Sequence, residues 1–546
     1  ETIEPFLKLH LYRAGLRPAI RFGGYDTIRQ DVVGPDSILA AAPGPDLVVL
    51  ALVLDRLDPG HLRPGWTADH AMGEVKALLG ALAERTEALV AVNTVLAPWY
   101  EAGIGIQSAG DYAAEIARLN RCIAEEVRAH GGQFLLVDWE RPLRLLGREA
   151  AIDERYWYRS RAPFKPAFLD LYAREIAKIV RARKGLAKKC VVLDCDNTLW
   201  GGVLGEDLIT GIKLDPNDFP GRIYYEFQAG VLRLAARGVM VALCSKNNEA
   251  DVMEVLNAHP ACLIKPKDLA GWRVNWDDKA TNLRRLASDL NIGLDAMVFV
   301  DDDKMECGLV RDLVPDVTVL EVPHPLYPYP DLLFRDGLFD TLSVSDEDRR
   351  RTQMYQAECR RQHEAARFES LEDYLASLDM AARIWRAEPG DVARVAQLTQ
   401  KTNQFNLTTR RYSESEIARF RDSPDHAVYC LSLADRFGDS GLTGVLIAAR
   451  EGDAVRIDTL LLSCRILGRR VELAFVDHVL ADLKRRWKPA RFEALYLPTA
   501  KNPQVAQFWE NFGLAATPGP DGAKSYAADA AKIADHKVPF VCIEAD

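Results

Sequence analysis

VVLDCDNTLWGG, at residues 191–202, is a short apolar run that ends in two carboxylates one residue apart, followed by a threonine and a pair of glycines. The run predicts a buried strand, and open α/β sheets bind ligands at the carboxyl ends of their strands. Side chains alternate along a strand, so Asp194 and Asp196 can share one face while Cys195 starts on the other. Two carboxylates this close repel each other unless a divalent cation neutralises them. The stretch therefore predicts a metal-dependent site.

Three later segments present polar groups in the same manner. A predicted strand at 239–244 and another at 297–300 each end in such groups, and a third set opens a helix that runs to residue 290. Phosphoryl transfer requires hydroxyl, ammonium and carboxylate groups of these kinds. The residues concerned are Ser245, Lys246, Asn247, Lys279, Asp301, Asp302 and Asp303. Two alternatives stay open: Asp303 as a helix N-cap only, and Lys265 in place of Lys279.

The four segments, in this order, resemble the motifs of the haloacid dehalogenase superfamily of phosphohydrolases. The longer string DCDNTLWGGVLGEDL resembles one branch, the FkbH-like proteins. The resemblance implies a nucleophile that forms an aspartyl-phosphate, Asp194, and an acid/base that protonates the leaving oxygen, Asp196. It also implies Ser245 and Lys279 as catalytic phosphate and charge contacts. The implied Mg²⁺ ligands are Asp194, Asp196, Asp301 and Asp302, and the implied substrate contacts are Thr198, Lys246 and Asn247.

The FkbH-like resemblance also implies a reaction. These proteins load a glyceryl unit from 1,3-bisphosphoglycerate onto the phosphopantetheine thiol of an acyl carrier protein, through an enzyme cysteine thioester, for polyketide or related biosynthesis. Cys195 lies within the motif and is the candidate for that cysteine, with Cys464 as the rival. The alternative for Cys195 is a small core residue, since two neighbouring carboxylates raise the pKa of a thiol. A Mg²⁺-dependent phosphatase of a soluble metabolite and a non-catalytic scaffold are the other hypotheses.

The predicted architecture is α/β and multidomain. A chain of 546 residues exceeds the size of one ordinary domain. The first domain, 1–186, alternates predicted strands with predicted helices, which indicates a parallel sheet. Its Gly23-Gly24 and Asn93 resemble the SGNH hydrolase fold, without a recognisable nucleophile. The strands are predicted at 47–53, 88–92 and 134–137, and the helices at 67–85 and 109–130.

The remaining domains are a central Rossmannoid phosphatase domain at 187–340, a charged helical linker at 341–380, and a last α+β domain at 381–546. The last one resembles the GNAT acyltransferase fold, in which the turn after a strand at 457–462 meets the pyrophosphate of coenzyme A at a helix N-terminus. Arg470 occupies the position of that motif's second glycine, so we expect the pantetheine arm of a carrier protein rather than coenzyme A. The expected arm contacts are Arg465, Gly468, Arg470 and Asn502.

The amino-acid composition limits the classes of binding partner that we expect. A formal net charge of −10 gives no basic surface for nucleic acid, so we expect metabolites and proteins instead. Ten cysteines without CxxC pairs indicate reduced thiols and a cytoplasmic protein. No apolar run has the length of a membrane span. The sequence begins inside a helical pattern without a signal-peptide layout, so we expect a start trimmed from the native one.

Overall fold

The computed structural model describes residues 2–24, 26–34, 37–40, 44–97, 111–342, 361, 368, 370–536 and 538–545. The chain forms two compact units, one made of Glu1–Arg183 with Ser413–Glu416 and the other of Lys184–Tyr412 with Ile417–Asp546. The first unit contains a three-stranded sheet, and the second contains a five-stranded and a nine-stranded sheet. The α/β multidomain prediction is therefore confirmed at the level of mixed sheets and helices.

The sheet of the first unit is parallel, in the order β1-β2-β3. Its strands are β1 (Leu47–Leu50), β2 (Leu89–Asn93) and β3 (Phe134–Val137). The helices are α1 (Glu4–Arg13), α2 (Ile28–Val33), α3 (Leu54–Leu57), α4 (Asp69–Arg85), α5 (Tyr112–Ala129), α6 (Glu140–Leu146), α7 (Arg148–Ala151), α8 (Glu154–Ser160) and α9 (Pro166–Arg183). The three predicted strands and two predicted helices each coincide with one of these elements, although residues 109 and 110 lie outside the described part.

Asn93 has a structural role at the end of β2. Its side chain is fully buried, accepts a hydrogen bond from the Leu52 N–H and donates to the carbonyls of Leu52 and Thr94. Its polar atoms therefore join the segments that follow β1 and β2. Among the described residues, the hydrogen bonds of the Asn93 side chain go to backbone groups, so the SGNH-like resemblance of this region stays a prediction.

The five-stranded sheet is parallel throughout, in the order β6-β5-β4-β7-β8, with β4 at its centre. Its strands are β4 (Cys190–Leu193), β5 (Met240–Ser245), β6 (Leu269–Val274), β7 (Met297–Asp301) and β8 (Thr318–Glu321). The helices of this region are α10 (Leu204–Gly211), α11 (Gly221–Ala235), α12 (Glu249–Ala258), α13 (Lys279–Asp289) and α14 (Lys304–Leu313).

The apolar run of β4 forms a strand because both of its faces are covered by helices. Val191 and Leu193 pack with apolar side chains of α11 and α12, and Cys195 belongs to the same cluster. Cys190 and Val192 pack on the other face with side chains of α13 and α14. All four strand residues are fully buried, and burial of such a side chain contributes roughly 1.5–3 kcal/mol before conformational entropy is subtracted. Cys195 thus lies with Val191 and Leu193, on the opposite side from Cys190 and Val192.

The nine-stranded sheet has the order β15-β16-β14-β13-β12-β11-β9-β17, and β10 pairs with β13 beside this path. Its pairs are antiparallel except for β13 with β14 and β9 with β17. The strands are β9 (Met380–Arg386), β10 (Phe405–Asn406), β11 (His426–Asp435), β12 (Gly438–Glu451), β13 (Ala454–Leu462), β14 (Arg491–Tyr496), β15 (Ala515–Pro518), β16 (Lys524–Asp529) and β17 (Val541–Ala545). The helices are α15 (Leu371–Ser377), α16 (Val392–Lys401), α17 (Glu414–Asp422) and α18 (Val471–Trp487).

Two other predictions meet the structure only in part. The charged residues 346–351 of the predicted linker lie outside the described residues, whereas α15 falls within its last part. The membrane prediction can be compared with every described helix. Within the ranges given above, none is both long enough and apolar enough to cross a bilayer.

Candidate active site

Three neighbouring strands bring polar side chains to one edge of the five-stranded sheet. Asp194 follows β4, Ser245 ends β5 and Asp301 ends β7. Because β5 and β7 flank β4 in parallel, their carboxyl ends meet at this edge. One carboxylate oxygen from each of Asp194, Asp301 and Asp302 lies within 4.8 Å of the others. The sequence prediction that these groups converge agrees with this geometry.

Lys279 is the cation at the centre of this edge. It is the first residue of α13, whose N-cap Asp278 accepts a hydrogen bond from the Thr281 N–H. Its buried ammonium lies 3.0 Å from Asp194 Oδ1 and 2.5 Å from Asp301 Oδ2. The rival Lys265 instead begins a short 3₁₀ turn, where its backbone N–H donates to Asp268. Between the two lysines considered, Lys279 is the one that contacts the carboxylates.

Negative charge exceeds positive charge in this buried edge. Burial raises the pKa of Asp194 to about 7, against the lowering effect of Lys279. Burial and then the neighbouring Asp301 raise the pKa of Asp302 to about 6. Burial also raises the pKa of Asp301, which Lys279 opposes. Burial alone would lower the pKa of Lys279, but Asp194 and Asp301 hold it above its ordinary value. One ammonium does not neutralise three clustered carboxylates.

A divalent cation fits this excess of charge. Mg²⁺ takes oxygen ligands and is commonly held by a few carboxylates together with water and substrate phosphate. Asp194, Asp301 and Asp302 offer three carboxylate oxygens in one group, two of them on buried residues. Asp303 points elsewhere, because its side chain accepts from the Met305 N–H as the N-cap of α14. The cap alternative for Asp303 therefore agrees with the structure.

Asp196 does not join the metal group, although it was predicted as a fourth ligand. Its Oδ1 accepts from the Trp200 indole N–H at 2.9 Å and the Leu204 backbone N–H at 3.1 Å. Its Oδ2 accepts from the Asn247 side chain at 3.0 Å. Neutral donors thus engage both oxygens of this side chain, and the carboxylate group that the structure brings together contains Asp194, Asp301 and Asp302 without Asp196, which corrects the predicted ligand set.

The predicted substrate contacts occupy three different environments. Lys246 Nζ lies 2.6 Å from Glu306 Oε1, so its charge is already paired. Asn247 is buried and donates to Asp196 and to Ser245 Oγ. Thr198 is fully buried, and its hydroxyl has no hydrogen-bond partner among the described residues. Ser245 is buried at the end of β5, and its hydroxyl interacts with the Asp194 carboxylate.

Cys195 is beside the candidate site and closed to solvent. Its side chain is 0 % exposed and belongs to the apolar cluster of α11. Burial and then Asp194 raise the pKa of its thiol well above the ordinary value, and a hydrogen bond with Ser245 opposes this. The predicted thioester therefore conflicts with the closed geometry, because a buried thiol resists ionisation. Its contact with Ser245 nevertheless keeps the sulfur next to the predicted phosphate position.

Cys464 is half-buried and lies at the opposite end of the five-stranded domain. Its backbone carbonyl accepts from Asn291 Nδ2 at 2.7 Å. Asn291 follows α13 at its carboxyl end, whereas Lys279 opens that helix beside Asp194. Eleven helical residues span about 16 Å at 1.5 Å per residue. Cys464 is therefore remote from the candidate site within one chain.

The predicted carrier-arm residues are divided between the surface and the interior. The Arg465 guanidinium is buried and donates to the Ser440 carbonyl. Asn502 is fully buried, donates to the Asn406 and Leu497 carbonyls and accepts from Thr499. These contacts correct both predictions, since side chains committed to backbone groups inside the fold are not presented to a ligand.

The other two predicted arm residues lie in the turn before α18. Gly468 has a φ of +79°, and a Cβ there would meet nothing within 4 Å. Arg470 has a φ of 57° and a half-exposed side chain, 3.6 Å from Glu372. The predicted strand, turn and helix are confirmed as β13, the turn and α18. Gly468 and Arg470 are the members of the predicted set that remain accessible there.

The structure places Trp200 at the candidate site, although the sequence motifs assign no role to this residue. Its contact with Asp196 joins two residues four positions apart, inside the same loop. A tryptophan placed shortly after a motif carboxylate is a usable signal, because the indole N–H is a donor that needs an acceptor when buried. The spacing alone does not give the loop conformation that brings the two together.

Comparisons with known proteins agree with this geometry. The structure is similar to the N-terminal part of the protein BF1531 from Bacteroides fragilis, which contains a phosphatase domain and was crystallised in complex with Mg. The two share 26 % sequence identity with a TM-score of 0.56, and the match covers 63 % of this chain and 91 % of that one. This likeness supports the coarser prediction of a haloacid dehalogenase-like phosphatase fold. No protein-family model matches the sequence, and no curated protein matches it.

Two other solved structures match smaller parts of the chain. The ribosomal-protein-S18-alanine N-acetyltransferase from Escherichia coli shares 15 % identity with a TM-score of 0.22, covering 29 % of this chain and 97 % of that one. Ard1 from Thermoplasma volcanium shares 16 % identity with a TM-score of 0.22, covering 27 % and 97 %. At these TM-scores the likeness carries no argument about mechanism.

Proposed function

We propose that the chain is a Mg²⁺-dependent phosphohydrolase that acts through an aspartyl-phosphate. The observation that carries this proposal is the group formed by Asp194, Asp301 and Asp302 with Lys279 between two of the three carboxylates. Such an arrangement has a nucleophile, a charge-neutralising ammonium and oxygen ligands for a cation within one buried edge. The likeness to a phosphatase domain complexed with Mg supports it.

The first step transfers the phosphoryl group to Asp194. A carboxylate oxygen of Asp194 attacks phosphorus, and the bond from phosphorus to the leaving oxygen breaks. Asp196, in its protonated form, gives that oxygen a proton. Ser245 donates a hydrogen bond to a phosphoryl oxygen, and the Lys279 ammonium offsets the negative charge that gathers around phosphorus.

The second step restores the enzyme. Asp196, now a carboxylate, takes a proton from a water molecule whose oxygen attacks phosphorus. The bond between phosphorus and Asp194 breaks, and inorganic phosphate leaves. Asp194, Asp301 and Asp302 would hold the Mg²⁺ in both steps, and the ion supplies charge stabilisation and orientation of the phosphate when bound.

We further propose that the phosphoryl substrate is a phosphoglyceryl unit and that the acceptor is a carrier protein. The support is the resemblance of residues 194–208 to the FkbH-like branch. The Cys195 sulfur attacks the acyl carbon of 1,3-bisphosphoglycerate, the bond to the 1-phosphate oxygen breaks, and the thiol proton passes to the departing phosphate. Asp194 then removes the 3-phosphate. The carrier's pantetheine thiol takes the glyceryl group, and its proton returns to Cys195.

Cys195 is preferred to Cys464 as the relay because of its neighbours. Its thiol is close enough to Ser245, a proposed phosphate contact, for that hydroxyl to lower the thiol pKa, and it is adjacent in sequence to the proposed nucleophile Asp194. Cys464 contacts Asn291 beyond the far end of α13, a helix about 16 Å long that begins at Lys279. The burial of Cys195 demands that the side chains covering its sulfur move when substrate binds, since acylation requires access to the sulfur.

A second candidate follows from that same burial. If Cys195 stays in the core, the chain is a phosphatase of a soluble phosphate ester, and no acyl group is bound to the protein. Intact-mass analysis separates the two functions. The enzyme is incubated with Mg²⁺, 1,3-bisphosphoglycerate generated in situ and a pantetheinylated carrier protein. Glyceryl mass on the carrier supports transfer; phosphate release with an unmodified carrier supports the simple phosphatase; no phosphate release contradicts both.

A further inference from the structure

The loop after Cys195 coils back on the strand end. The Cys195 carbonyl accepts hydrogen bonds from the backbone N–H groups of Leu199 at 2.8 Å, Thr198 at 3.2 Å and Trp200 at 3.4 Å. Asp196 and Trp200 form an isolated bridge. The backbone at Gly201 also packs closely against α11, because a Cβ there would lie 2.8 Å from the Tyr224 ring. The backbone therefore returns Trp200 to the side of Asp196.

Trp200 reaches Asp196 from inside the core. Its side chain is 0 % exposed and packs in the apolar cluster of α11. The indole N–H donates to Asp196 Oδ1 at 2.9 Å, and the Leu204 N–H donates to the same oxygen at 3.1 Å. Packing on all sides fixes the indole plane, so the position of Oδ1 is fixed through a rigid donor.

Asn247 holds the second oxygen from another element. Its side-chain nitrogen donates to Asp196 Oδ2 at 3.0 Å and to Ser245 Oγ at 3.3 Å. Oδ1 therefore receives two donors and Oδ2 receives one. The less engaged Oδ2 retains the lone pair that a proton transfer uses. Asn247 also links the proposed acid/base to the proposed phosphate contact, Ser245.

We infer that Trp200 is a positioning residue that aims the Asp196 carboxyl at the leaving oxygen, with Asn247 as the second support. The inference rests on the proposed phosphohydrolase function and adds to it the parts that orient the proton donor. Trp200 holds Oδ1 against the core, which turns Oδ2 toward the edge of the sheet where Asp194 and Ser245 lie. Misalignment of Asp196 slows hydrolysis only of those substrates whose leaving oxygen needs the proton.

The leaving group is therefore the variable that tests the inference. 4-Nitrophenyl phosphate releases 4-nitrophenolate, a stable anion, whereas glycerol 3-phosphate releases a basic alkoxide that requires protonation. The phenolate released from phenyl phosphate has a basicity between the two. The measurement is kcat/KM with Mg²⁺ for all three esters, since this quantity reports the step that releases the leaving group. In Trp200→Phe we expect a loss of about 10- to 100-fold for glycerol 3-phosphate and less than about threefold for 4-nitrophenyl phosphate.

A double-mutant cycle separates positioning from general damage. Asp196→Asn has no proton to donate, so adding Trp200→Phe to it should produce no further loss specific to glycerol 3-phosphate. Tyr329→Phe is the matched control, because Tyr329 is also fully buried in this core and donates to the Thr198 carbonyl without contacting Asp196. It should change the three esters by one common factor.

Asn247→Ala provides a second route if Trp200→Phe does not fold, as followed by circular dichroism and thermal unfolding. It should reproduce the steeper dependence on the leaving group. An equal loss for all three esters in both variants, or no loss in either, overturns the inference while leaving the phosphohydrolase function in place. Hydrolysis of none of the esters by the wild-type enzyme contradicts the proposed function itself, and the inference with it.

Discussion

Two charged regions of the molecule are built on opposite principles. At the edge of the five-stranded sheet, Asp194, Asp301 and Asp302 share one ammonium, and their pKa values are raised by burial. In the turn before α18, the buried Arg465 and Arg469 donate to the Ser440 carbonyl and to Asp435, and that aspartate also accepts from Arg361. The first region holds charge that its own side chains do not neutralise. The second holds its guanidinium groups on acceptors inside the fold, a backbone carbonyl and an aspartate whose side chain is buried.

The difference separates ligand sites from structural polar clusters. Buried charge is unfavourable unless it is paired, so an unneutralised cluster indicates a missing counter-charge from a cation or substrate. A paired cluster indicates that the polar groups maintain the conformation of the turn. Both regions carry motif-like residues in the sequence, and the partners of those residues inside the fold distinguish them.

The largest expected effect comes from removing the proposed nucleophile of the acidic edge. Asp194→Asn should lower phosphate release by more than about a thousandfold, because an amide is a far poorer nucleophile than a carboxylate. Chelation of Mg²⁺ should give a comparable, reversible loss. The measurement is phosphate release from 4-nitrophenyl phosphate with and without added Mg²⁺.

Asp303→Asn is the matched control for Asp194→Asn. Asp303 is an exposed helix cap two residues beyond Asp301, and asparagine also caps helices well. Its activity should stay close to that of the wild type. Full turnover by Asp194→Asn would remove Asp194 from the role of nucleophile, whatever the control does.

The next effect concerns the cysteine between the two aspartates. Cys195→Ala should abolish the enzyme-bound glyceryl mass and lower carrier loading by about a hundredfold, because the acyl group loses its attachment. Hydrolysis of 4-nitrophenyl phosphate should remain within about threefold, since alanine is tolerated in an apolar core position of this size. Intact mass and phosphate release measure the two activities separately.

Cys464→Ala is the comparison for Cys195→Ala, and it should load the carrier normally. In the enzyme without substrate, a thiol-alkylating reagent should modify the exposed Cys542 well before the buried Cys195. Undiminished loading by Cys195→Ala would return this residue to a purely structural role. It would also favour the simple phosphatase.

Sequence patterns predicted the five-stranded domain well because its signals are local. Apolar runs that end in carboxylates give both the strand and the position of its carboxyl end, so Asp194 and Asp301 were brought to one edge by topology alone. The roles of Asp196 and Arg465 were harder to predict. Each depends on where a neighbouring loop directs a donor or acceptor, such as Trp200 or the Ser440 carbonyl. Neither contact has a periodicity that the sequence displays.

Substitutions in the turn before α18 have smaller expected effects. They compare an accessible arginine with a buried one in the same turn. Arg470→Glu should raise the apparent KM for carrier protein about tenfold, because it reverses a half-exposed charge near the proposed phosphodiester. Arg465→Gln should instead destabilise the fold by about 1–3 kcal/mol, as it removes a buried donor from the Ser440 carbonyl. Carrier titration and thermal unfolding, applied to both variants, distinguish a ligand contact from a structural one. An unchanged KM in Arg470→Glu would leave the turn as structural support alone.

The smallest expected effect tests whether the acidic edge is strained by its own charge. Burial and Asp301 disfavour the charged form of Asp302 in the folded protein, and this penalty is present at pH 7 because the raised pKa is about 6. Asp302→Asn removes the penalty. The side chain is partly exposed and therefore screened, so we expect a gain of at most about 1 kcal/mol, seen as a rise in Tm of about 1 to 3 °C in the metal-free protein.

The same substitution should act in the opposite sense once Mg²⁺ is added. Binding of Mg²⁺ should raise the Tm of the wild type, whereas Asp302→Asn lacks one of the proposed ligands and should gain little. Asp277→Asn serves as the control, because this exposed aspartate pairs with Arg285 outside the cluster and should leave the Mg²⁺ effect unchanged. Calorimetry with chelator and with Mg²⁺ measures all three proteins. If Asp302→Asn lowers the metal-free Tm and keeps the full response to Mg²⁺, the carboxylate belongs to a paired structural cluster, and the contrast with the arginine turn disappears.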